Sequence, residues 1–303
     1  MDAGQTGVRV VISRAGHADI GREHPGIRAH GSVLLQVAAA VESSVVGIDV
    51  REPWVLAAGI TGLTPSHGGA DTLLRALPTV TSVAVAHDST TSYLGAIGDG
   101  QGAVLAVGTG VVVVACAASK ISRVDGWGHL LGDAGGGFWI GARGLAAALE
   151  AFDGRAPATA LTAAALERFG PFPDLPSIVY GDPDRVSVIA AFCIDVVACA
   201  AEGDAASVAI LEEGARQLAR SASASLDSVQ LSSADRVVSW SGNLIGGSSY
   251  MRHLIQIALD CSPARARLIA PRGTPIDGAH ALIDLSSAHP LYGTVSRAYR
   301  NEK

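Results

Sequence analysis

The sequence predicts an α/β fold on two observations. Short runs rich in valine, isoleucine and alanine alternate with longer segments of helical periodicity, the pattern of strands connected by helices. The chain has 303 residues, of which 49% are hydrophobic, enough for one large domain or two medium domains with their own cores. The glycine-rich stretch 98–102 interrupts the pattern, and we expect a hinge between two lobes there.

The predicted elements follow this alternation along the chain. Apolar runs predict strands at residues 8–13, 54–59, 82–86, 103–107, 111–117, 236–240 and 267–269. Helical periodicity predicts helices at residues 32–41, 70–76, 90–97, 137–151, 158–169, 186–201, 205–229, 248–259 and 278–286.

Composition argues against several classes of function. The net charge is −6, the isoelectric point is near 5.8 and no basic stripe is present, so nucleic-acid binding is not expected. The cysteines Cys116, Cys193, Cys199 and Cys261 form no CxxC pair, which argues against a zinc or iron–sulfur site. Neither a secretory signal nor a clean membrane span is visible, so we expect a cytoplasmic protein without a membrane partner.

The most informative segment is 126–141, which places seven glycines around Asp133 and also carries Trp127, Phe138 and Trp139. Glycines at this density allow the backbone to approach a ligand closely. A carboxylate that accepts hydroxyl hydrogen bonds, beside aromatic faces, suits a sugar. Two interpretations of Trp127 remain open, because it could pack on a sugar ring or anchor the loop in the core.

Two tight turns are predicted to bind phosphate. The first is Asp2-Ala3-Gly4-Gln5-Thr6-Gly7, which precedes the predicted strand 8–13. The second is Gly108-Thr109-Gly110, which lies between two apolar runs. Such hairpin turns offer backbone N–H groups and a threonine hydroxyl to phosphate oxygens.

Asp88 is the candidate catalytic residue. It ends an apolar strand and precedes a helix that begins with Ser89, Thr90 and Thr91. A carboxylate at the end of a strand could accept the proton of a substrate hydroxyl or orient that hydroxyl for attack. The alternative is an ordinary helix N-cap.

Together these motifs resemble the sugar kinase/hsp70/actin superfamily. Within it, the chain is similar to the BadF/BadG/BcrA/BcrD ATPase-type group, which contains N-acetylglucosamine kinases and glucosamine kinases. The matching positions are Asp2, Gly4 and Thr6, then Asp88, residues 108–110, residues 126–141, residues 241–247, and Gly278 with Ala279. They occur in the family's order along nearly the whole chain.

The resemblance implies a two-lobed actin-like ATPase fold, with a ribonuclease-H-like sheet in each lobe and a nucleotide cleft between the lobes. The N-terminal lobe would span residues 1–98 and be joined by a C-terminal helix at about residues 286–303, centred on 290–300. The C-terminal lobe would span residues 99–285 and carry a helical insertion at about residues 156–203.

The resemblance also implies an activity, the ATP-dependent phosphorylation of glucosamine or N-acetylglucosamine at the 6-hydroxyl. ATP and Mg²⁺ are the implied cofactors. Asp88 would be the base, Asp2 would hold Mg²⁺, and Asp133 and Trp127 would bind the sugar together with Asp88. The implied nucleotide-binding residues are Gly4, Thr6, Gly108, Thr109 and Gly110 at the phosphates, and Gly242, Asn243, Gly246 and Gly247 at adenine and ribose.

Two other functions remain open at this point, a sugar-independent ATPase of the BadF type and a nucleotide or sugar sensor without turnover. The expected partner is a small-molecule amino sugar, and a homodimer is left open.

The sequence departs from the family's pattern at two places. Only Met1 precedes Asp2, where the family has an apolar strand, so we expect residues 8–13 to lose a hairpin partner and the first phosphate turn to be poorly anchored. The stretches 21–27 and 58–62 replace loops that lie near the sugar in the family, and the first lacks the usual Asn. This leaves room for an unacetylated amino sugar.

Overall fold

The computed structural model describes residues 1–28, 31–48, 53–64 and 69–300. The chain divides into two compact units. Unit 1 comprises Met1–Gln101, Cys116–Ile121 and Ala270–Lys303. Unit 2 comprises Gly102–Ala115 and Ser122–Ile269.

The strands and helices of the described residues follow the predicted alternation. The strands are β1 (Asp2–Ala3), β2 (Val8–Ile12), β3 (Ile20–His24), β4 (Trp54–Ile60), β5 (Val80–His87), β6 (Gly102–Val107), β7 (Val111–Ala117), β8 (Lys120–Asp125), β9 (Val237–Ser241), β10 (Arg267–Leu268) and β11 (Ser296–Tyr299). The helices are α1 (Val33–Ser44), α2 (Ala70–Ala76), α3 (Asp88–Ala96), α4 (Gly137–Phe152), α5 (Ala160–Phe169), α6 (Leu175–Gly181), α7 (Arg185–Ala191), α8 (Cys193–Ala201), α9 (Ala205–Val229), α10 (Asn243–Gly246), α11 (Ser249–Cys261) and α12 (Pro275–Ala281).

The sheet of unit 1 has the order β11-β5-β4-β1-β2-β3 in the described residues. Strands β1, β4 and β5 run parallel, and β2, β3 and β11 add antiparallel neighbours. In register, Asp2 lies opposite Gly59, and Gly59 lies opposite Ala86. The carboxyl ends of the three parallel strands therefore meet at one edge of the sheet.

The first phosphate turn is anchored, contrary to the sequence-based expectation. Although β1 has only two residues, Asp2 pairs with Arg9 and Ala3 pairs with Val8. On the other side, the Gly59 N–H donates to the Met1 carbonyl at 3.0 Å, and the Thr61 N–H donates to the Ala3 carbonyl at 2.9 Å. Two residues suffice because they are hydrogen-bonded on both sides, to β2 and to β4.

The predicted C-terminal helix near residues 290–300 is wrong. Pro290–Thr294 forms a 3₁₀ turn, and β11 then pairs antiparallel with β5. Arg300 holds this end in place, because its Nε donates to the Val80 carbonyl at 2.8 Å and its Nη2 donates to the Leu77 carbonyl at 3.2 Å. Residues 296–299 form a strand because the edge of β5 offers them backbone hydrogen-bond partners.

Helix α12 begins and ends earlier than the predicted helix 278–286, and it belongs to unit 1. Its start is defined by a capping box between Thr274 and Asp277, with Pro275 in the first turn. The helix crosses α3 at very short range. A Cβ at Gly278 would overlap the Thr91 carbonyl, and one at Gly95 would overlap the Thr274 carbonyl.

A second sheet has the order β10-β9-β6-β7-β8 in the described residues, and all of it except the end of β7 and the start of β8 belongs to unit 2. Strands β9 and β10 are parallel, as are β6 and β9. The long helix α9 buries Leu211, Leu218 and Leu226 and packs against α4, α8, α11 and β6. The predicted helix 186–201 is broken at Phe192 into α7 and α8.

Within the described ranges, no single helix is both long and apolar enough to cross a membrane. The run Arg185–Ala201 reaches that length and composition only together with α9, from which it bends by 117°.

Candidate functional site

Asp88 lies at the carboxyl edge of the unit 1 sheet. It is the first residue of α3, and the N-cap residue is His87 rather than Asp88. The His87 Nδ1 lies 2.7 Å from Asp88 Oδ1, within donor distance when that nitrogen carries a proton. The Ser89 N–H, 3.2 Å from the same nitrogen, can use it as an acceptor only when the proton is absent.

The Asp88 carboxylate is kept ionised. Burial opposes its charge, but hydrogen bonds from His87, Thr61 and the Ser89 backbone outweigh burial and hold the pKa of Asp88 below its usual range. Its side chain is 28% exposed, so a substrate hydroxyl can reach it. This arrangement can orient a hydroxyl and accept its proton.

Asp2 lies on β1 at the same edge, in a different electrostatic state. Burial, and then the charge of Asp88, raise the pKa of Asp2. Two carboxylates that repel each other suit a hard divalent cation, since Mg²⁺ prefers one or two carboxylate ligands and keeps several waters. The residues at this edge therefore fit the implied metal, although in the described ranges no group of three His, Cys, Asp or Glu residues forms a fuller metal site.

The first phosphate turn carries Gly4 and Thr6 between β1 and β2. The Gly4 N–H donates to the Gly7 carbonyl at 3.0 Å, and the Thr6 side chain is exposed. The Ile27 N–H donates to the Gly4 carbonyl at 2.9 Å, and a Cβ at Gly26 would overlap the Gln5 carbonyl. The turn is therefore braced from behind and leaves Thr6 open to solvent.

The stretch 21–27 is not the loop that the sequence suggested. Its first four residues, Gly21 to His24, belong to β3, and the rest packs against the phosphate turn. The His24 Nε2 lies 2.7 Å from Ser44 Oγ, which ties β3 to the end of α1. In this structure the stretch supports the turn.

The second phosphate turn, Gly108-Thr109-Gly110, joins β6 to β7 and contacts the start of α4. The Gly137 N–H donates to the Gly108 carbonyl and the Phe138 N–H donates to the Thr109 carbonyl, both at 2.9 Å. The turn thus satisfies two N–H groups that a helix start leaves unpaired. The Thr109 side chain is half-buried and forms no hydrogen bond with the described residues, so it is available to a ligand.

Asp133 packs directly against this turn. A Cβ at Gly110 would overlap Asp133 Oδ2, so only glycine allows this contact. Asp133 is 8% exposed, and its Oδ1 has no hydrogen-bond partner among the described residues. Burial, and then the charge of Asp125, raise the pKa of Asp133. Hydrogen bonds from the Val111 and Gly128 backbone N–H groups act in the opposite direction but do not outweigh this. A buried, unpaired carboxylate oxygen is expensive unless a ligand satisfies it.

The loop before Asp133 displays apolar side chains to solvent. Trp127 is 74% exposed, Leu130 82% and Leu131 85%. Trp127 therefore does not anchor the loop in the core, which was one of its two interpretations. The stacking of His129 on Phe138, with ring centroids 4.6 Å apart, connects the loop to α4 instead.

The glycine-rich turn at residues 242–247 lies beside the second phosphate turn. Gly242 has φ +100°, and a Cβ there would overlap the Val107 carbonyl, which directly precedes Gly108. Asn243, Gly246 and Gly247 are exposed on and after α10. Arg252, which sequence reasoning did not single out, fixes this turn by donating to the Ile245 and Gly246 carbonyls at 2.8 and 2.7 Å.

The structure thus groups the predicted residues within each unit. In unit 1, Asp2 lies on β1, Gly4 and Thr6 lie in the turn that follows it, and Asp88 follows β5, which is separated from β1 by β4. In unit 2, the second phosphate turn contacts both Asp133 and Gly242. Sequence reasoning missed the residues that hold these groups, His87, Thr61, Asp125 and Arg252. His87 and Asp125 directly precede positions that the sequence analysis named, and Thr61 lies in the named stretch 58–62, whereas no sequence signal pointed to Arg252.

The chain matches a known family model and is similar to a curated kinase. A family model described as the BadF/BadG/BcrA/BcrD ATPase family matches residues 31–260. An N-acetylmuramic acid/N-acetylglucosamine kinase from Clostridium acetobutylicum is 26% identical over 210 residues, which cover 68% of this chain and 69% of that protein.

Solved structures share the fold. A candidate N-acetylglucosamine kinase from Chromobacterium violaceum superposes with a TM-score of 0.72 at 24% identity, over 93% of this chain and 96% of that chain. A candidate N-acetylglucosamine kinase from Porphyromonas gingivalis has a TM-score of 0.75 at 18% identity, over the same shares of the two chains. The predicted actin-like α/β fold class is confirmed.

Proposed function

Because the chain belongs to the BadF/BadG/BcrA/BcrD ATPase family, we propose that it is an ATP-dependent sugar kinase that phosphorylates an amino sugar, glucosamine or N-acetylglucosamine, at the 6-hydroxyl. One observation carries the proposal. The buried Asp133 carboxylate packs against the second phosphate turn and keeps one oxygen without a partner. An acceptor for a hydroxyl therefore lies next to a turn suited to phosphate.

Asp88 is the proposed base. Phosphoryl transfer passes through a loose transition state, so the enzyme mainly positions the nucleophile and stabilises charge. A carboxylate with a lowered pKa stays ionised at neutral pH and can hold the hydroxyl in line for attack. It then accepts the proton late, when the hydroxyl oxygen has become acidic through bonding to phosphorus.

The two turns are the proposed phosphate ligands. Gly4 and Thr6 in unit 1, and Gly108, Thr109 and Gly110 in unit 2, are the proposed ligands, with the hydroxyls of the exposed Thr6 and the half-buried Thr109 facing the phosphate oxygens. The Gly4 and Gly108 N–H groups are used within the turns, where they donate to the Gly7 and Gly110 carbonyls at 3.0 Å. Asp2 would hold Mg²⁺ directly or through water, and the ion would neutralise phosphate charge. Gly242, Asn243, Gly246 and Gly247 would bind adenine and ribose.

The sugar is the less defined partner. Asp133 would accept hydrogen bonds from ring hydroxyls, and the exposed Trp127 would pack on the ring face. The kinase from Clostridium acetobutylicum named for acetylated amino sugars supports this substrate class. Glucosamine remains in the proposal beside N-acetylglucosamine, and the assay below compares the two sugars.

A coupled ADP-release assay with ATP and Mg²⁺ tests the proposal against glucosamine, N-acetylglucosamine, glucose and no sugar. We expect turnover that depends strongly on one amino sugar. Sugar-independent hydrolysis would instead support an ATPase of the BadF type, and binding of ATP or sugar without turnover would support a sensor.

The variant Asp88→Asn tests the base. It should retain ATP and sugar binding by calorimetry but lose turnover by about 10²- to 10⁴-fold, the usual contribution of a general base. Asp71→Asn, on the exposed first turn of α2 in the same unit, is the matched control and should behave as wild type. Turnover of Asp88→Asn close to wild type would remove Asp88 from this role.

A further inference from the structure

The Asp125 carboxylate closes the loop 126–132 at its base. Its Oδ1 accepts the Gly126 N–H at 2.9 Å and the Asp133 N–H at 2.8 Å. One oxygen atom thus accepts hydrogen bonds from backbone N–H groups at both ends of the loop. The closure is tight, because a Cβ at Gly132 would overlap the same oxygen.

Both ends of this closure have unusual backbone geometry. Asp125 has φ +65° and Asp133 has φ +59°, the left-handed region that non-glycine residues seldom occupy. Such conformations persist only where surrounding contacts hold them, and they cluster at functional sites. Here the contacts include the two hydrogen bonds to Asp125 Oδ1 and the hydrogen bond from the Gly136 N–H to the Asp133 carbonyl at 3.0 Å.

The hydrogen bond to Asp125 fixes the backbone of Asp133 and therefore the direction of its side chain. That side chain keeps Oδ1 buried and unpartnered beside the second phosphate turn. The same closure presents Trp127, Leu130 and Leu131 on the loop as exposed apolar side chains. A sugar offers hydroxyls on its edge and C–H groups on its face, so one closed loop carries both kinds of complementary group.

From this geometry we infer that Asp125 is a positioning residue for the sugar. It acts through Asp133 and the loop 126–132, and it need not touch the substrate. The inference rests on the proposed function. It adds a residue that determines sugar affinity more than nucleotide affinity. Asp125 Oδ1 holds the loop and the Asp133 backbone, whereas the second phosphate turn has its own hydrogen bonds to the start of α4.

Two variants separate the closure from folding. Asp125→Gly removes the acceptor, and glycine adopts φ +65° without strain, so the substitution adds no steric penalty at this position. Asp125→Asn keeps an amide oxygen that can accept both N–H groups, removes the charge and replaces Oδ2 by an NH2 group.

Backbone amide hydrogen exchange is the first readout, because it does not depend on activity. The Gly126 and Asp133 amides should exchange at least about tenfold faster in Asp125→Gly and at nearly the wild-type rate in Asp125→Asn.

Kinetics with the preferred sugar is the second readout. Asp125→Gly should raise the sugar KM by about 10- to 100-fold, the scale of a misplaced binding group, while the KM for ATP stays within about threefold. Asp125→Asn should restore the sugar KM to within about threefold of wild type.

Three results would overturn the inference. Unchanged amide exchange in Asp125→Gly would mean that the closure does not hold the loop in solution. Faster exchange with an unchanged sugar KM would mean that the closure has no part in substrate binding. Equal losses for sugar and ATP would indicate a general loss of structure. A wild-type protein that transfers phosphate to no sugar would instead overturn the proposed function itself, and the inference with it.

Discussion

At Asp133 the protein buries a carboxylate oxygen without a partner, and at Asp88 it surrounds a carboxylate with donors. The same residue type therefore has its pKa raised at one site and lowered at the other. Burial raises the pKa of Asp133, whereas hydrogen bonds from His87, Thr61 and Ser89 overcome burial at Asp88. Environments that separate the pKa values of two acids are a common feature of active sites.

The raised pKa of Asp133 leads to a prediction about stability. A raised pKa means that the folded protein binds the proton more tightly than the unfolded chain, so ionisation destabilises the fold as the pH rises through this range. Asp133→Asn should therefore increase the free energy of unfolding at pH 7 by about 1–3 kcal/mol, the scale of an unsatisfied buried group. The gain should shrink towards the unfolded pKa of about 3.9. Urea unfolding at pH 7 and near pH 4 measures both values.

Asp204 serves as the comparison, because its pKa is shifted in the opposite direction from that of Asp133. Burial opposes its charge, but hydrogen bonds from Ser207, Ala160 and Thr159 outweigh burial and lower the pKa of Asp204. The stability that it contributes is present at pH 7 and is lost as the pH falls through its folded pKa. Asp204→Asn should thus destabilise at pH 7, while Asp133→Asn stabilises. Destabilisation by both variants would contradict the account of Asp133.

At the scale of elements, the crossing of α3 and α12 positions the candidate base. Asp88 begins α3, and four residues of the two helices approach through backbone atoms, with Gly95 and Gly278 leaving no room for a Cβ. A Cβ at Gly59 on β4 would overlap the Thr91 side chain as well. The helix is therefore confined by α12 on one side and by the sheet on another.

Gly278→Ala should displace α3, because the added methyl group would overlap the Thr91 carbonyl. We expect the free energy of unfolding to fall by about 1–3 kcal/mol, as for other overpacked interiors. Turnover should fall further than sugar or ATP binding, since Asp88 moves with the helix. Thermal unfolding together with the ADP-release assay checks both effects.

Gly21→Ala is the control for this substitution. Gly21 lies on β3 in the same unit, and a Cβ there meets nothing within 4 Å. It should change stability by no more than about 0.5 kcal/mol. A Gly278→Ala protein as stable and active as this control would show that the helix crossing tolerates a larger separation.

At the scale of the whole molecule, each unit carries one of the two turns that are predicted to bind phosphate, residues 2–7 in unit 1 and residues 108–110 in unit 2. The first boundary between the units, at Gln101 and Gly102, falls within the stretch 98–102 that was expected to be a hinge. After the short return at Cys116–Ile121, the final return to unit 1 begins at Ala270, earlier than the expected residue 286, because α12 packs on α3.

If both turns bind phosphate, a non-hydrolysable ATP analogue with Mg²⁺ should slow amide exchange at residues 4–7 in unit 1 and at residues 108–110 in unit 2. The preferred amino sugar alone should slow exchange at residues 126–133 and leave residues 4–7 unchanged. We expect rate reductions of about tenfold or more at saturating ligand. Protection by nucleotide in one unit only would contradict the assignment of phosphate ligands to both turns.

Sequence patterns were sufficient for much of the fold and for the residue types of the candidate site. Strand β7 and helices α2 and α9 have the bounds that were predicted, because a strong apolar or helical period defined each of them. Strand β11 was missed, since its short polar sequence becomes a strand only beside the edge of β5. The roles of the site residues remain predictions.

The sequence by itself determined which residues are candidates to bind phosphate and sugar, because glycine, threonine and aspartate in tight turns offer N–H, hydroxyl and carboxylate groups. Tertiary structure alone decided which of them meet and in what electrostatic state. Register across β1, β4 and β5 brings Asp2 near Asp88, and the hairpin of β6 and β7 brings Gly110 against Asp133. The physical reason is that pKa values, burial and unpaired oxygens depend on neighbours distant in the chain, which local sequence does not specify.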